Sequence, residues 1–468
     1  MIDHQKQSGF YLLSDNTDAF VARFALATAA ENTLDIQYYI MHKDASGQYL
    51  AYALLQAADR GVKVRILVDD INLSGRDSNL KALGQHDNIE IRIFNPLNNR
   101  NWFRNLELLV NLNRAGRRMH NKAFIADNAV AIIGGRNIGD EYFDARKKLN
   151  FVDLDLLSTG PIVQDISISF DDYWNSHWAT PIEELSTIKV AKLQLTHIRN
   201  NLKDRWHNAR NTQYFNSLQL SDLTRRIIDR DIPLIYADAK LFYDRPEKLI
   251  ASDKDEMIHF GPKIMPFFDN AKDELLIATP YFVPGTPGAN WLIDKQKHGT
   301  DIQILTNSLS ATDVIAVHAG YRKYREKLVK AGLKLFELKS NAKRLRDRTK
   351  KILQGLSGSS LHAKYMVVDR RYVFIGSANI DPRSNNLNTE IGVIVDSEEL
   401  AEQARLLFEK TIDRENSHHL SIDKSSNRLK WSTIENNDDR DYYNEPNVSI
   451  FRKLAVFLLS LLPIENLL

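Results

Sequence analysis

Two stretches far apart in the chain carry the same reactive side chains at the same spacing. His120 and Lys122 lead to Asp127 and then to Gly134-Gly135-Arg136-Asn137. His362 and Lys364 lead to Asp369 and then to Gly376-Ser377-Ala378-Asn379. Both read H-x-K, four residues, D, six residues, G-[GS]-x-N. A lone His-x-Lys carries no information, but two copies of so long a pattern are not a coincidence of composition. The residue types suit attack on a phosphodiester, an anion whose charge must be screened before a nucleophile can approach. Lys122 and Lys364 supply two cations, and Asn137, Asn379, Gly135 and Ser377 are candidate substrate-binding donors beside them. Histidine titrates near pH 6.5, so one imidazole can be neutral and attack phosphorus while the other, protonated, supplies the leaving oxygen with a proton.

The elements around the motifs explain how such side chains could be held. Each His-x-Lys opens an apolar run, Ala123-Phe124-Ile125-Ala126 or Tyr365-Met366-Val367-Val368, of the kind that forms buried strands. Residues two apart on a strand share a face, so His120 and Lys122 point one way, as do His362 and Lys364. Turns at Asp127-Asn128 and Asp369-Arg370-Arg371 lead to second strands, 130–133 and 372–375, and the glycines beyond them let backbone approach an anion closely. Upstream, helices over 18–31, 47–60 and 78–84 alternate with strands over 34–40, 62–68 and 89–94. The later half repeats that order, with strands near 275–282, 302–305 and 333–338, and a helix over 321–330. After each motif comes a further strand, 152–157 or 391–395, and a helix carrying Phe170 or Phe408. Alternation of this kind indicates an α/β sheet. The reading is therefore a duplicated domain, 15–180 and 255–415, with a mostly helical bridge at 181–254 and a tail at 416–468.

The paired motif resembles the catalytic signature of the phospholipase D superfamily, and the resemblance covers both halves. It implies two mixed-sheet α/β/α halves related by a pseudo-twofold, with one active site between them. It implies a phosphohistidine intermediate formed without metal or cofactor, with His120 as nucleophile and His362 as acid and base. The pseudo-symmetry leaves those two roles exchangeable at this level. Asp127 and Asp369 count with the catalytic set by the same resemblance, although turn acids suit bracing better than substrate contact. An imidazole needs a partner on its other nitrogen. Glu390, in Asn388-Thr389-Glu390, stands where the superfamily places such a carboxylate, and Asp153 is its counterpart. Longer runs, Gly134 to Phe143, Thr306-Asn307-Ser308-Leu309 and Asp381-Pro382-Arg383-Ser384, resemble bacterial cardiolipin synthases, above all the cardiolipin synthase C subgroup. That implies phosphatidyl transfer from phosphatidylethanolamine to phosphatidylglycerol. A hydrolase of the superfamily that releases phosphatidic acid is the alternative, a nuclease a more distant one, and a lipid-binding protein without activity the reading from another class.

Composition sets few limits of its own. Lys and Arg total 62 against 60 Asp and Glu, which argues neither for nor against a polyanion, and no nucleic-acid partner is expected. With no cysteine in the chain, disulfides, thiol nucleophiles and Cys-ligated zinc are excluded. No His-Glu-x-x-His pair is present, and His318, on an expected helix, reads as packed. Met1 to Phe10 has no signal-peptide core, and no run reaches the about 20 apolar residues that span a bilayer. Basic and aromatic residues do cluster ahead of both motifs: Arg100, Trp102, Phe103, Arg104, Arg114, Arg117 and Arg118, then Lys343 to Lys351. The end of the chain, Ile450 to Leu459, suits an interfacial helix headed by Arg452 and Lys453. Peripheral attachment to the cytoplasmic face of a membrane is the expectation, with Trp102-Phe103 and Tyr281-Phe282 as walls of the site. Since Lys and His supply all the charge this chemistry needs, activity should survive exhaustive chelation. An enzyme that stops in EDTA and recovers only with a divalent ion, in monomeric substrate where lipid packing plays no part, would contradict this.

Overall fold

The computed structural model describes residues 6–100, 114, 116–146, 149–185, 190–250, 258–342, 358–462 and 465. The first half holds β1 (Ser8–Leu13), β2 (Thr33–Tyr38), β3 (Lys63–Asp69), β4 (Ile89–Phe94), β5 (Ala123–Ala126), β6 (Val130–Gly134), β7 (Leu149–Val152), β8 (Asp155–Thr159) and β9 (Ala179–Pro181). Then come β10 (Ile235–Tyr243), β11 (Glu274–Ala278), β12 (Asp301–Asn307), β13 (Lys334–Leu338), β14 (Gly358–Leu361), β15 (Tyr365–Val368), β16 (Tyr372–Gly376) and β17 (Ile391–Asp396). The last three are β18 (Ser417–Ile422), β19 (Leu429–Glu435) and β20 (Asp438–Tyr442).

Pairing makes the duplication explicit. In the first half β4, β3 and β2 run parallel, and β5, β6, β8 and β1 continue antiparallel. In the second half β13, β12 and β11 run parallel, and β15, β16, β17 and β10 continue antiparallel. The strands of each motif hairpin are fully buried except at the turn, which is why they read as continuous apolar runs rather than alternating ones. The edge strands β1 and β10 pair with each other, Ser8 opposite Ala237 and Phe10 opposite Ile235, so the sheets join there. The helices Pro161–Trp174 and Glu398–Ile412 bury Phe170 and Phe408 in one apolar cluster that draws residues from both halves, Ile125 and Ile133 with Val367 and Val395.

The bounds differ from the sequence reading in four places. The sheets begin earlier than 15 and 255, because β1 and β10 are the outermost strand of each. β10 lies in the stretch expected to be mainly helical; the helices Lys192–Ala209, Gln213–Gln219 and Asp222–Asp229 fill only its first part. Residues 416–442 are not a tail. β18 pairs with β13 and β19 and β20 follow it, extending the second sheet. Lastly, the strand expected over 152–157 is two strands, β7 and β8, interrupted at Asp153 and Leu154. β7 leaves the sheet of its own half and pairs in parallel with β14, in front of the second motif.

The last helix, Ile450–Ser460, is capped by Ser449, whose hydroxyl accepts the Arg452 amide N–H. It docks through Val456 against Leu309 and Ala319, the latter on the helix Ile315–Lys330. Arg452 faces inward and donates to the Thr312 carbonyl at 2.6 Å. The opposite side is apolar and open: Ile450, Phe451, Leu454, Phe457 and Leu458 are each about half exposed or more. Among the described residues no helix is long and apolar enough to cross a membrane.

Candidate active site

Backbone pairing across the two halves places the histidines. The amide N–H of His120 donates to the carbonyl of Thr389 at 2.9 Å, and that of His362 to Val152 at 2.8 Å. Thr389 immediately precedes Glu390 and Val152 immediately precedes Asp153, so each contact also aims a carboxylate. His120 Nδ1 lies 2.9 Å from Glu390 Oε2, and His362 Nδ1 lies 2.6 Å from Asp153 Oδ2. The pairs are crossed, each half holding the imidazole of the other. All four side chains are buried. With Nδ1 on the carboxylate, Nε2 is the ring nitrogen left for chemistry, and on His362 it also lies within reach of the Lys364 ammonium.

Aromatic rings fix the imidazole planes. Tyr39 meets His120 edge-on at 5.0 Å between centroids, and Tyr142 and Phe151 flank His362 at 5.1 and 5.0 Å. Both lysines are almost wholly buried. Lys122 donates to the His120 carbonyl, and Lys364 to the His362 carbonyl, with Lys364 Nζ 3.2 Å from His362 Nε2. Among the described residues no group of His, Asp and Glu is arranged to hold a metal ion.

Burial sets the electrostatics, and the two pairs are not equivalent. Desolvation holds His120 well below its ordinary value, and Lys122, Lys364, His362 and Arg383 add to the depression. Burial and Lys364 lower His362 as well, but there Asp153 pulls the other way. Burial alone would raise the Asp153 carboxyl; the charge and hydrogen bond of His362, with Lys364 and Arg136, bring it down to about 2. Burial pushes Glu390 up despite Lys122. Burial also lowers Lys122 far below the usual amine range and brings Lys364 to about 8. A pocket that penalises its own cations in this way gains most from an entering anion. The arrangement can do nucleophilic and acid–base chemistry on a phosphodiester, with the ionised Asp153 making His362 the more basic ring.

Several expected site residues do other work. Asp127 accepts the amide N–H groups of Glu31, Asn32 and Thr33, and Asp369 those of Lys272, Asp273 and Glu274. Each ties its hairpin turn to the start of the neighbouring strand, so neither belongs with the reacting groups. Asn137 gives its amide to Tyr142 Oη at 2.9 Å and accepts from the Ile40 N–H, and so supports the ring that flanks His362. The Gly135 N–H is taken by the Leu154 carbonyl. A Cβ at Gly135 would lie 2.1 Å from Asp153 Oδ1, so the space the glycine leaves is filled by the orienting carboxylate and not by a ligand. At the matching position Ser377 donates to Glu390 and accepts the Ile391 N–H. Asn379 is buried with its carbonyl oxygen unpartnered and its backbone N–H on Ser384.

The basic segment ahead of the first motif is also structural where it is described. Arg100 pairs with Asp70 and Asp77, Arg114 donates to Asn98 and Pro96, Arg117 to the Lys248 carbonyl and Arg118 to the Asn95 carbonyl. Each of these guanidinium groups has a partner within the protein. Trp102, Phe103, Arg104 and Lys343 to Lys351 lie outside the described residues. Of the other expected wall, Phe282 is core, whereas Tyr281 donates its hydroxyl to Asp313 at 2.9 Å. His318 is buried against Tyr321, 3.4 Å from Glu445.

Sequence reasoning missed Asp244, just past β10. Its Oδ2 accepts the Glu390 amide N–H at 2.8 Å and the Lys248 ammonium at 2.9 Å, fixing the base of the carboxylate that holds His120. Burial raises its carboxyl to about 6 even so. Nothing local marks it, because its partner lies 146 residues away.

The family model described as "Cardiolipin synthase, PLD-like domain" matches residues 24–174 and 264–412. Cardiolipin synthase C of Escherichia coli strain K12 is 38% identical over 466 residues, covering 99% of this chain and 97% of that protein. Cardiolipin synthase A of Pseudomonas entomophila is 25% identical over 420 residues, covering 90% and 71%. Among solved structures, phosphatidylserine synthase of Haemophilus influenzae superposes over 100% of this chain and 98% of that one, with a TM-score of 0.62 at 13% identity, a likeness of fold.

Two measurements test the site. Gly135→Ala should displace Asp153 and, since misplacing a reacting group by about 1 Å costs on the order of 10²-fold, lower kcat at least that much. Ser377→Ala, where a Cβ already fits, should cost about tenfold or less, in line with one hydrogen bond of about 1.5 kcal/mol. Equal losses would refute the steric account. Asp153→Asn removes the charge that raises His362, so the alkaline limb of the pH–rate profile, which reports loss of the protonated acid, should move to lower pH. A limb that stays or rises would show that Asp153 does not set that pKa.

Proposed function

The chain belongs to the cardiolipin synthase, phospholipase D-like family, and from that premise we propose that it is a phosphatidyltransferase that makes cardiolipin. The donor is phosphatidylethanolamine or another phospholipid, and the acceptor phosphatidylglycerol. The observation that carries the reading is the crossed pair of histidine–carboxylate contacts in one buried site, in a chain similar over 99% of its length to a cardiolipin synthase.

The steps follow from which nitrogens the carboxylates leave for the substrate. His120, neutral and donating Nδ1–H to Glu390, attacks phosphorus through Nε2. The P–O bond to the headgroup breaks, and the leaving oxygen takes a proton from His362 Nε2. Lys122 and Lys364 offset the charge on the non-bridging oxygens. The phosphatidyl group is then held on His120, and His362 is neutral. The acceptor hydroxyl gives its proton to His362 as its oxygen attacks phosphorus, the P–N bond breaks, and both rings return to their starting states. Hydrolysis differs only in the acceptor. Transfer requires an alcohol held in line, and positioned groups reach effective concentrations of about 10⁵–10⁸ M against water. A buried site served from a membrane surface meets that requirement, because donor and acceptor arrive by the same route.

The exposed face of the last helix is the proposed attachment. Burying each of its large apolar side chains contributes about 1.5–3 kcal/mol, ample for reversible binding. Phe451→Glu with Leu454→Glu alters that face and leaves Val456 docked. The double variant should stay folded and shift from the vesicle pellet to the supernatant; unchanged sedimentation would place the anchor elsewhere.

In vesicles of phosphatidylethanolamine and phosphatidylglycerol, mass spectrometry should show cardiolipin forming faster than phosphatidic acid. His120→Ala and His362→Ala should each abolish it while remaining folded. Phosphatidic acid as the main product would favour the hydrolase, and near-normal turnover by either variant would end the shared-site reading.

A further inference from the structure

The two halves cover their parallel strands unequally. In the second half the helix Ile315–Lys330, 16 residues long, lies beside β13 and β18. In the first half the corresponding helix is Asp77–Leu83, 7 residues, about 10 Å at 1.5 Å per residue. Strands of 6 or 7 residues such as β3 and β4 run about 20 Å. The shortfall is roofed by the bridge helix Lys192–Ala209, which packs Ile198 and Leu202 against the core of the first half. The roof does not close the gap. A cavity of about 420 Å³ remains, walled by Leu54, Leu55, Ile66, Val68, Leu80 and Leu202.

The cavity has a charged rim. Lys43, Arg76 and Arg205 line it. No carboxylate stands within ion-pair distance of any of the three among the described residues, whereas Arg199, on the same roofing helix, is paired with Asp59. Arg76 donates to the Met41 carbonyl and is half-buried; that burial pulls its guanidinium below the ordinary value, and Asp44 offsets the effect only in part. The Asp44 oxygens are already taken by the Gly47 and Asp140 amides. His42 is engaged by Glu141 and Asn72, and His197 by Asn201. An apolar hollow of this size, within the range of about 300–1,000 Å³ usual for ligand sites, with three cations at its edge that lack a carboxylate at ion-pair distance, complements a hydrocarbon tail ending in an anion.

We propose that this cavity binds one hydrocarbon chain of an anionic amphiphile, its phosphate seated on Lys43, Arg76 and Arg205. The site is separate from the histidine centre. It lies behind the segment 39–43, of which Tyr39 packs on His120, while His42 pairs with Glu141, the neighbour of the Tyr142 that flanks His362. An occupant therefore braces residues that hold both imidazoles. The proposal does not depend on the reaction assigned above.

The test uses dodecyl phosphate carrying a photo-reactive diazirine near the tail end, with the full chain, and peptide mapping of the label. Label should fall on peptides covering 45–59 and 192–209. Ala51→Trp, which fills the hollow, and Lys43→Glu with Arg205→Glu, which reverses the rim, should each reduce it about tenfold, or about 1.4 kcal/mol of binding. Dodecanol with the same tag should label about tenfold less. Thermal melting checks that the variants are folded. Phosphatidylglycerol vesicles with a tagged chain form the second arm: labelling there identifies a membrane lipid as the source, and labelling only by the monomer identifies a free single-chain amphiphile. Label confined to the histidine centre, or unchanged in both variants, would overturn the proposal.

Discussion

Each catalytic-motif histidine is oriented by a carboxylate from the opposite half, and most of the architecture follows from that exchange. Asp153 can reach His362 only if the chain leaves its own sheet, so β7 and β8 are separate strands and β7 pairs with β14. Glu390 can reach His120 only if residue 389 lies against residue 119, and the isolated pairing of Met119 with Thr389 supplies that. The same exchange explains the small residues that follow the motif strands. Gly135 leaves room for Asp153, and Ser377 uses its hydroxyl to fix Glu390. Neither half contains a complete histidine pair, so the joined sheets at β1 and β10 and the shared apolar cluster between them bear directly on the chemistry.

Burial turns this geometry into reactivity. Two lysines and two histidines packed away from water are held toward their neutral forms, and two carboxylates only partly compensate. The pocket is thus short of negative charge until a phosphodiester enters, which ties binding to activation. The asymmetry between an ionised Asp153 and a Glu390 pushed upward separates two histidines that the duplicated sequence makes equivalent.

The halves have diverged most where they do not meet. The second sheet is extended by β18 to β20 and carries the last helix on its outer side. The first is roofed by the bridge, where Trp206 stacks on Phe24 at 4.6 Å. One outer face leaves an apolar helix surface open, the other an apolar hollow with a basic rim. Both are features that hydrocarbon would complete, and they lie outside the duplicated core.

The sequence alone determined what repeats locally: the doubled motif, the alternation of helix and strand, and the facing of His120 with Lys122 and of His362 with Lys364. Those properties depend on strand and helix periods, which a few neighbouring residues set. It also held a weaker local signal, the apolar–polar alternation Ala237-Asp238-Ala239-Lys240-Leu241 within β10. Only the tertiary structure decided which carboxylate serves which imidazole, because those partners are 209 and 270 residues apart and both acids are equally plausible strand-end residues. It likewise decided that Asp127 and Asp369 bind amides, that Arg100 and Arg118 are structural, and that Asp244 fixes Glu390. A side chain's type and spacing state what it can bond; which of several eligible partners it meets is set by chain packing, to which the local pattern is blind.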